Sequence, residues 1–287
     1  MLIPSHNRPP LLPPKATAIK LFTVGATLGP IVDSLHNQCL LSYDFAPITV
    51  SPPPVFADSS ASGFTATPLF CSSWAVPPLL GIAYIVLGYI LPRIIEVSAR
   101  NVNTQYSFGS ASGDVSTSDK NVVTTEDKRV LQTRAILAVS STAAIIKLSE
   151  FLETHAGMTY HFNNHSFNLD ANTNLIIMLL ADVLQWISLD RTVIALLAAA
   201  VTAVGGPLSE LPFVANGFWH YNVDAADYFP LSGTFFESGG IADGIASSLF
   251  GEGYSDLALS SITGPCYFAV TLDAIALGRY FDKRTEE

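Results

Sequence analysis

The sequence predicts an all-α fold: a polytopic membrane protein with a six-transmembrane-helix bundle and both termini cytoplasmic. Only 13% of the 287 residues are charged, and the mean hydropathy is +0.38. A soluble domain would carry about 25% charged residues. A helical span needs roughly 20 mostly apolar residues. Six such stretches occur, at 16–35, 73–95, 130–152, 174–189, 192–215 and 262–281.

The positions of Lys and Arg predict the orientation of these spans. The connections 36–72, 153–173 and 216–261 contain neither residue. Apart from Lys147, all Lys and Arg lie at the two ends of the chain, around the connection between the second and third spans, or at the corner between the fourth and fifth. Because Lys and Arg are retained on the cytoplasmic side during insertion, the three connections without them are predicted to be non-cytoplasmic.

The chain divides into three parts in order. Residues 1–15 form a Pro-rich cytoplasmic N-terminus, residues 16–281 form the membrane domain, and residues 282–287 form a cytoplasmic tail. Pro-rich segments favour an extended backbone. No soluble domain is predicted.

Two connections of the membrane domain are long. The loop 97–129 is rich in polar residues and poor in large apolar ones, so it is predicted to be flexible. The segment 230–261 is acidic, Gly-rich and non-cytoplasmic, and its apolar run around Ile245–Phe250 is typical of a short interfacial helix.

Glycine and proline interrupt several spans. Gly29-Pro30 interrupts the first, Pro77-Pro78 opens the second, and Gly205-Gly206-Pro207 is predicted to break or kink the fifth. Small residues let helix backbones approach closely in a membrane, so these features favour helix packing.

The fourth span has one polar face. Asn174, Met178, Asp182 and Gln185 are spaced i, i+4, i+8 and i+11, which places them on the same side of a helix. Asp182 would then lie near the middle of the membrane. This face has two interpretations: structural hydrogen bonding to a neighbouring helix, or a polar patch that receives a ligand hydroxyl in an apolar cavity.

Two further charged residues lie deep in spans. Lys147 lies in the third span and Asp273 in the sixth. A charge inside the bilayer is costly unless it faces the bundle interior and is paired. We therefore expect Lys147 to pair with Asp182 or Asp273, either as a structural ion pair or as part of the ligand site.

Asp190 and Arg191 form a polar corner between the fourth and fifth spans. Both flanks are apolar, so the corner is expected at the cytoplasmic surface. A structural interpretation is a helix-end turn in which Asp190 caps the following helix.

The sequence contains no strong catalytic, metal or cofactor motif. His161 and His165 are four residues apart, but they lie in the Asn-rich string TYHFNNHSFN, which reads as a loop. No metal and no cofactor are predicted. The formal net charge of −10 argues against nucleic acid as a partner.

Five short strings, in a fixed order along the chain, carry a resemblance to a known family. They are Ser72–Pro78 (SSWAVPP); Lys147-Leu148 with Phe151; Trp186 with Leu189-Asp190-Arg191; Asn216-Gly217 with Tyr221, Asp227 and Phe229; and Pro265-Cys266 with Phe268, Gly278 and Arg279. Together they resemble the Insig family, sterol-responsive membrane proteins that retain partners in the endoplasmic reticulum. The six-span layout with both ends cytoplasmic is also similar to that family.

The resemblance implies a sterol-binding bundle with a sterol-sensing membrane partner. In the family, an oxysterol binds among the middle spans, near the position that Asn174 approximates. The aspartate of the Asp-Arg corner is needed for partner binding, which carries over to Asp190.

This sequence also departs from the family pattern. Asp182 stands where the family has a small or weakly polar residue, and Thr192-Val193-Ile194 replaces a Ser-rich continuation. The loops 97–129 and 230–261 are longer than in the animal proteins. These differences leave open a different ligand or another membrane, such as that of a plastid.

The first functional hypothesis is a non-enzymatic regulator in control of sterol synthesis. Its predicted ligand is a sterol or isoprenoid lipid, and its predicted partner is a sterol-sensing membrane protein. The predicted ligand-binding residues are Asn174, Met178, Asp182, Gln185, Lys147 and Asp273, and the predicted partner-binding residues are Asp190 and Arg191.

Two alternatives remain open from the residues alone. One is a small membrane enzyme acting on a sterol or isoprenoid, with Asp182, Asp273 or Glu150 as acid or base. The other is a transporter that uses buried charges as a proton relay.

The topology prediction can be tested with single cysteines at Ser110 and Ile245 in a background that lacks Cys39, Cys71 and Cys266. Six basic residues lie between 93 and 134 and none between 216 and 261, so the two positions are expected to be labelled from opposite sides. The measurement is labelling of sealed vesicles by a membrane-impermeant thiol reagent. Labelling of both positions from one side contradicts the six-span topology.

Overall fold

The computed structural model describes residues 11–51, 69–106, 125–162, 165–189, 191–234, 237 and 239–283. Its helices are α1 (Lys15–Leu40), α2 (Val76–Ile85), α3 (Leu91–Tyr106), α4 (Thr125–Thr154), α5 (Ala171–Leu189), α6 (Val193–Ala215), α7 (Ile241–Phe250) and α8 (Thr263–Lys283). A π-helical segment, Val86–Ile90, joins α2 to α3 without a break.

Within the described residues, five helical segments are long and apolar enough to cross a membrane. They are Lys15–Leu35, Val76–Ala99, Arg129–Thr154, Ala171–Leu189 and Val193–Ala215. They match the first five predicted stretches, so the protein is a multi-pass helical membrane protein. The sixth stretch also forms a helix, α8, but it is less apolar. The prediction that it crosses the membrane, and the cytoplasmic location of both termini, stay predictions.

The low apolarity of α8 has a structural cause. The helix packs on α1, α4, α5, α6 and the π segment, and 13 of its 21 residues are buried. A helix surrounded by other helices faces protein rather than lipid, so it needs fewer large apolar side chains.

Gly88 and Gly278 let α8 approach the π segment backbone to backbone. A Cβ on Gly278 would meet the carbonyl oxygen of Gly88, and a Cβ on Gly88 would lie 2.5 Å from the carbonyl oxygen of Ala274. No side chain fits at either position. The two glycines therefore determine how closely the π segment of the second span packs on α8.

The prolines of the spans are tolerated inside continuous helices. Pro30 lies within α1, and Pro207 and Pro212 lie within α6. The predicted break at Gly205-Gly206-Pro207 is therefore wrong, because α6 continues to Ala215.

Short antiparallel two-stranded ribbons occupy the connections that lack Lys and Arg. β1 (Leu41–Tyr43) pairs with β6 (Trp219–Tyr221), β2 (Pro47–Val50) with β3 (Phe70–Ser73), and β4 (Thr159–Phe162) with β5 (His165–Asn168). The string TYHFNNHSFN was predicted as a loop, but 159–162 and 165–168 form paired strands. Its Thr, Tyr and Phe residues are typical of strands, and this preference outweighs the Asn residues between them.

The β1–β6 ribbon belongs to a second apolar cluster outside the helix bundle, which we call the cap. Its buried members are Leu41, Leu211, Trp219, Tyr221, Leu231, Ala246, Tyr254 and Leu259. The cap therefore combines β1, the end of α6, β6 and the segment that contains α7. The apolar run at Ile245–Phe250 is helical as predicted, and Ile241, Ile245 and Leu249 are exposed on it. Its position at the membrane surface stays a prediction.

The predicted loop 97–129 is shorter than expected. α3 continues to Tyr106 and α4 begins at Thr125, and residues 107–124 lie outside the described part of the chain. Residues 1–10 and 284–287 also lie outside it.

The glycine contact predicts a stability effect. Gly278→Ala should lower the melting temperature in detergent, at a cost of about 1–3 kcal/mol, because the added methyl group overlaps backbone that cannot rotate away. Gly205→Ala is the matched control, since nothing lies within 4 Å of a Cβ built there. An equal response of the two variants would contradict the close packing of α8 on the π segment.

Candidate functional site

A cavity of about 240 Å³ lies between α1 and α2 on one side and α6 and α8 on the other. Strands β1 and β6 of the cap close one end of it. Its apolar walls include Val32, Leu79, Leu80, Ala83 and Val270, and its polar lining comprises Asp33, Tyr43, Tyr84, Ser209, Glu210, Trp219, Tyr221, Thr263 and Tyr267. An apolar cleft with a few convergent polar groups is the usual form of a small-molecule site.

Glu210 is the centre of the polar lining. Tyr221 donates its hydroxyl to Glu210 Oε2 at 2.7 Å, and Tyr267 donates to Oε1 at 2.8 Å. The indole N–H of Trp219 also points to Oε2, at a longer 3.4 Å. These donors come from β6 and α8, so one buried carboxylate on α6 joins the cap to the bundle.

Tyr221 has a second polar contact. Its hydroxyl lies 3.2 Å from Thr263 Oγ1, at the start of α8. Burial raises the pKa of the Tyr221 hydroxyl well above its usual value, and the nearby Glu210 carboxylate raises it further. Tyr221 therefore keeps its proton at neutral pH and serves as a donor to Glu210.

Asp33 supplies a second carboxylate to the cavity. It lies on α1 and accepts a hydrogen bond from the Tyr43 hydroxyl of β1, with 2.7 Å between Oδ2 and the hydroxyl oxygen. This contact repeats the pattern at Glu210, since a carboxylate of the bundle again accepts from a tyrosine of the cap. No Lys or Arg lines the cavity in the described part of the chain.

The predicted polar face of α5 is buried, as expected. Asn174, Met178, Asp182 and Gln185 are at most 3% exposed. However, the face packs on neighbouring helices, and none of its four residues lines the cavity. Their role as ligand contacts stays a prediction.

Hydrogen bonds tie this face to α4. Gln185 Nε2 donates to Thr142 Oγ1 at 2.8 Å and to Ser141 Oγ at 3.0 Å, and Thr142 donates in turn to the Ala269 carbonyl of α8. Asn174 donates to the carbonyl of Leu152. Neither oxygen of Asp182 has a hydrogen-bond partner within the described structure, although the side chain is buried.

The expected pairing of Lys147 is wrong. Its side chain is 60% exposed and forms an ion pair with Glu150, one turn later on α4. The residues of α4 that face the core are its neighbours Ile145, Ile146 and Ser149, so Lys147 lies on the outer side of the helix. A lysine on that side cannot reach the bundle interior.

Asp273 is paired with a tyrosine instead of a lysine. Its Oδ2 accepts a hydrogen bond from the Tyr84 hydroxyl at 2.8 Å, which joins α8 to α2. Asp273 lies behind the cavity wall, and Tyr84 lies in that wall.

The corner between α5 and α6 is only partly described, because Asp190 lies outside the described residues. Arg191 is exposed and has a left-handed backbone with φ 55°, and its Nε donates to the Ile187 carbonyl at 2.9 Å. Thr192 is the N-cap of α6, and its hydroxyl accepts from the Ala195 N–H. The expectation that Asp190 caps this helix is therefore wrong, since the cap position belongs to Thr192.

Sequence reasoning did not single out the residues that form the polar end of the cavity. Glu210 carried a usable signal, because it is a carboxylate within the apolar stretch 192–215. Tyr221 appeared only as part of a resemblance string. Asp33 carried the same signal, because it lies within the apolar stretch 16–35. Tyr267 had no signal, since its role depends on packing between distant elements.

Together, the fold and the cavity define a multi-pass helical membrane protein with an internal cavity that has apolar walls and one polar end. No family model matches the sequence, and no curated protein matches it. Two solved structures match it over nearly the full length. One is the mycobacterial Insig homologue MvINS from Mycobacterium vanbaalenii, with 15% identity, a TM-score of 0.51, and coverage of 94% of this chain and 97% of that one. The other is a cross-linked MvINS trimer, with a TM-score of 0.50 and the same identity and coverage. The protein therefore has an Insig-like fold.

The unpaired carboxyl of Asp182 predicts an unusual mutational response. Asp182→Asn should leave the melting temperature unchanged or raise it, because it removes a buried ionisable group without a partner. Gln185→Leu should lower it, since it removes the hydrogen bonds to Ser141 and Thr142, worth roughly 1 kcal/mol each. A loss for Asp182→Asn as large as that for Gln185→Leu would contradict this interpretation and favour a ligand or partner at Asp182.

Proposed function

We propose that this protein is a non-enzymatic, Insig-like membrane regulator that binds a sterol or isoprenoid lipid and a sterol-sensing membrane partner. The observation that carries the lipid part is the cavity between α1, α2, α6 and α8, with apolar walls and one polar end. A sterol or isoprenol has the same division, with a large apolar body and one polar group.

The surrounding helices offer a route into the cavity. α2 and α6 both line it but do not pack closely on each other, whereas α2 packs on α1 and α6 packs on α8. We propose that a lipid enters from the bilayer between α2 and α6. At about 240 Å³ the cavity is somewhat smaller than typical ligand sites, so part of a large lipid would extend into this gap.

The cavity is a better ligand site than the polar face of α5. That face is occupied by hydrogen bonds and packing to α4 and α8, so we assign it to the stability of the bundle. The same placement removes support from the enzyme alternative. Asp182, Asp273 and Glu150 do not line the cavity, and Glu150 forms an ion pair with the exposed Lys147.

The regulatory part of the proposal rests on two lines of support. The Insig-like fold and the ordered strings both point to the same family. Arg191 is exposed with a left-handed backbone, which makes this residue of the predicted partner-binding pair accessible; Asp190 lies outside the described residues. We propose the endoplasmic reticulum membrane as the location, with a plastid membrane as the alternative.

Filling the cavity should abolish lipid binding. Ala83→Phe places a ring in the cavity, whereas Ala200→Phe adds the same ring on the exposed side of α6. The measurement is binding of a photoactivatable hydroxylated sterol and of a polyprenol to the detergent-purified protein. We expect at least a roughly tenfold loss for Ala83→Phe, a loss of more than about 1.4 kcal/mol, and none for Ala200→Phe. Unchanged binding in Ala83→Phe would rule out the cavity as the lipid site.

The partner proposal is tested at Asp190. Asp190→Ala and Asp190→Asn should both lose co-purification with a sterol-sensing membrane protein, while expression and lipid binding persist. Because Thr192 caps α6, neither substitution removes the helix cap. Thr192→Ala is the control: it should cost about 1 kcal/mol of stability and keep the partner. Retained partner binding in both Asp190 variants would remove this residue from the proposal.

A further inference from the structure

The charge of the cavity is unbalanced. Asp33 and Glu210 both line it, and no Lys or Arg lines it in the described part of the chain. The nearby connections 36–72, 153–173 and 216–261 contain neither residue in the sequence. The described lining of the cavity therefore contains two carboxylates and no Lys or Arg. A buried carboxylate is costly unless donors or a positive charge lie beside it.

The hydrogen bonds at Glu210 suit the ionised form of its side chain. Both oxygens accept from tyrosine hydroxyls, and Oε2 faces the Trp219 N–H as well. A carboxylate has only acceptor sites, so it can use all three donors. A protonated acid would have one acceptor site fewer, and one of the tyrosine hydroxyls would have to accept from it instead of donating. Three donors delocalise the charge of Glu210 but do not neutralise it.

Aromatic rings line the same end of the cavity. Trp219 stacks on Phe213 with 5.1 Å between ring centroids, and Tyr43 meets Trp219 edge to face at 6.3 Å. Rings of this kind attract cations through the negative charge of their faces. Carboxylates and aromatic rings without a basic side chain are the surroundings that an ammonium group prefers.

We propose that the cavity selects an amphiphile with a protonated amine as its head group. The amine donates to Asp33 and Glu210 and contacts the aromatic rings, and the aliphatic body lies along Leu79, Leu80 and Val270. This inference rests on the proposed function in one respect, that the cavity is a lipid site. It goes further in assigning a positive charge to the head of the ligand.

The test compares probes that share one chain. Hexadecylamine is protonated at neutral pH, hexadecan-1-ol is its neutral analogue, and butylamine carries the same head without a long tail. Binding to the full-length protein in a neutral detergent is measured by native mass spectrometry and by competition. We expect the long amine to bind at least roughly tenfold more tightly than the alcohol, because hydrogen bonds to charged groups are stronger than those between neutral ones.

Substitutions of the two cavity carboxylates test whether the cavity causes the preference for the amine over the alcohol. Glu210→Gln and Asp33→Asn should each reduce the preference for the amine several-fold, and Asp33→Asn provides the answer if Glu210→Gln does not fold. Glu252→Gln removes the same charge from an exposed position in the cap segment and should keep the preference. A preference that survives both cavity substitutions, or falls equally in Glu252→Gln, overturns the assignment.

The remaining outcomes separate this inference from the proposed function. If the amine and the alcohol bind equally and Ala83→Phe blocks both, the proposed ammonium head group is wrong. The cavity then remains a lipid site. Competition by butylamine as effective as that by hexadecylamine overturns the amphiphile and indicates a small cation. If neither long probe nor a hydroxylated sterol binds, both proposals fail.

Discussion

The convergence of Tyr221, Tyr267 and Trp219 on Glu210 is the interaction on which the rest of this structure depends. It joins α6, β6 and α8 at one buried carboxylate, and the Tyr43–Asp33 contact joins α1 to β1 in the same way. These bonds attach the cap to the helix bundle. Because the cap closes one end of the cavity, they also give an otherwise apolar space its polar end. A buried carboxylate is tolerated only when donors surround it, so the position of the cap and the chemistry of the cavity have one cause.

The second feature that organises the structure is the central helix, α8. α8 packs on most of the other long helices and has the close glycine contact with the π segment. It also supplies Tyr267 and Thr263 to the cavity and Asp273 to Tyr84. A helix with so many polar contacts cannot be strongly apolar. Its weak hydropathy and its central position are therefore two results of the same environment.

Much of the bundle could be predicted from the sequence, because the signals are local. Long apolar stretches determine where helices occur, and a spacing of four residues places Asn174, Met178 and Asp182 on one buried face. The failures concern relations between distant segments. Lys147 was expected to face inwards because it lies deep in a span, but its direction depends on how α4 is rotated against its neighbours. The strands were not predicted, since β1 pairs with a segment about 180 residues later in the chain. The cavity required α1, α2, α6, α8 and two strands of the cap to be placed together, and of its polar residues only Glu210 and Asp33 showed a sequence signal, as carboxylates within apolar stretches.

The central claim, that Glu210 attaches the cap to the bundle, can be tested by hydrogen–deuterium exchange of the full-length protein in detergent. Glu210→Leu removes the bundle side of the contact and Tyr221→Phe removes the donor on the cap side, whereas the β4–β5 ribbon lies outside it. The account predicts faster amide exchange at 41–43 and 219–221 in both variants, with unchanged exchange at 159–162 and 165–168. Unchanged exchange at 219–221 would contradict it, as would an equal rise in both ribbons.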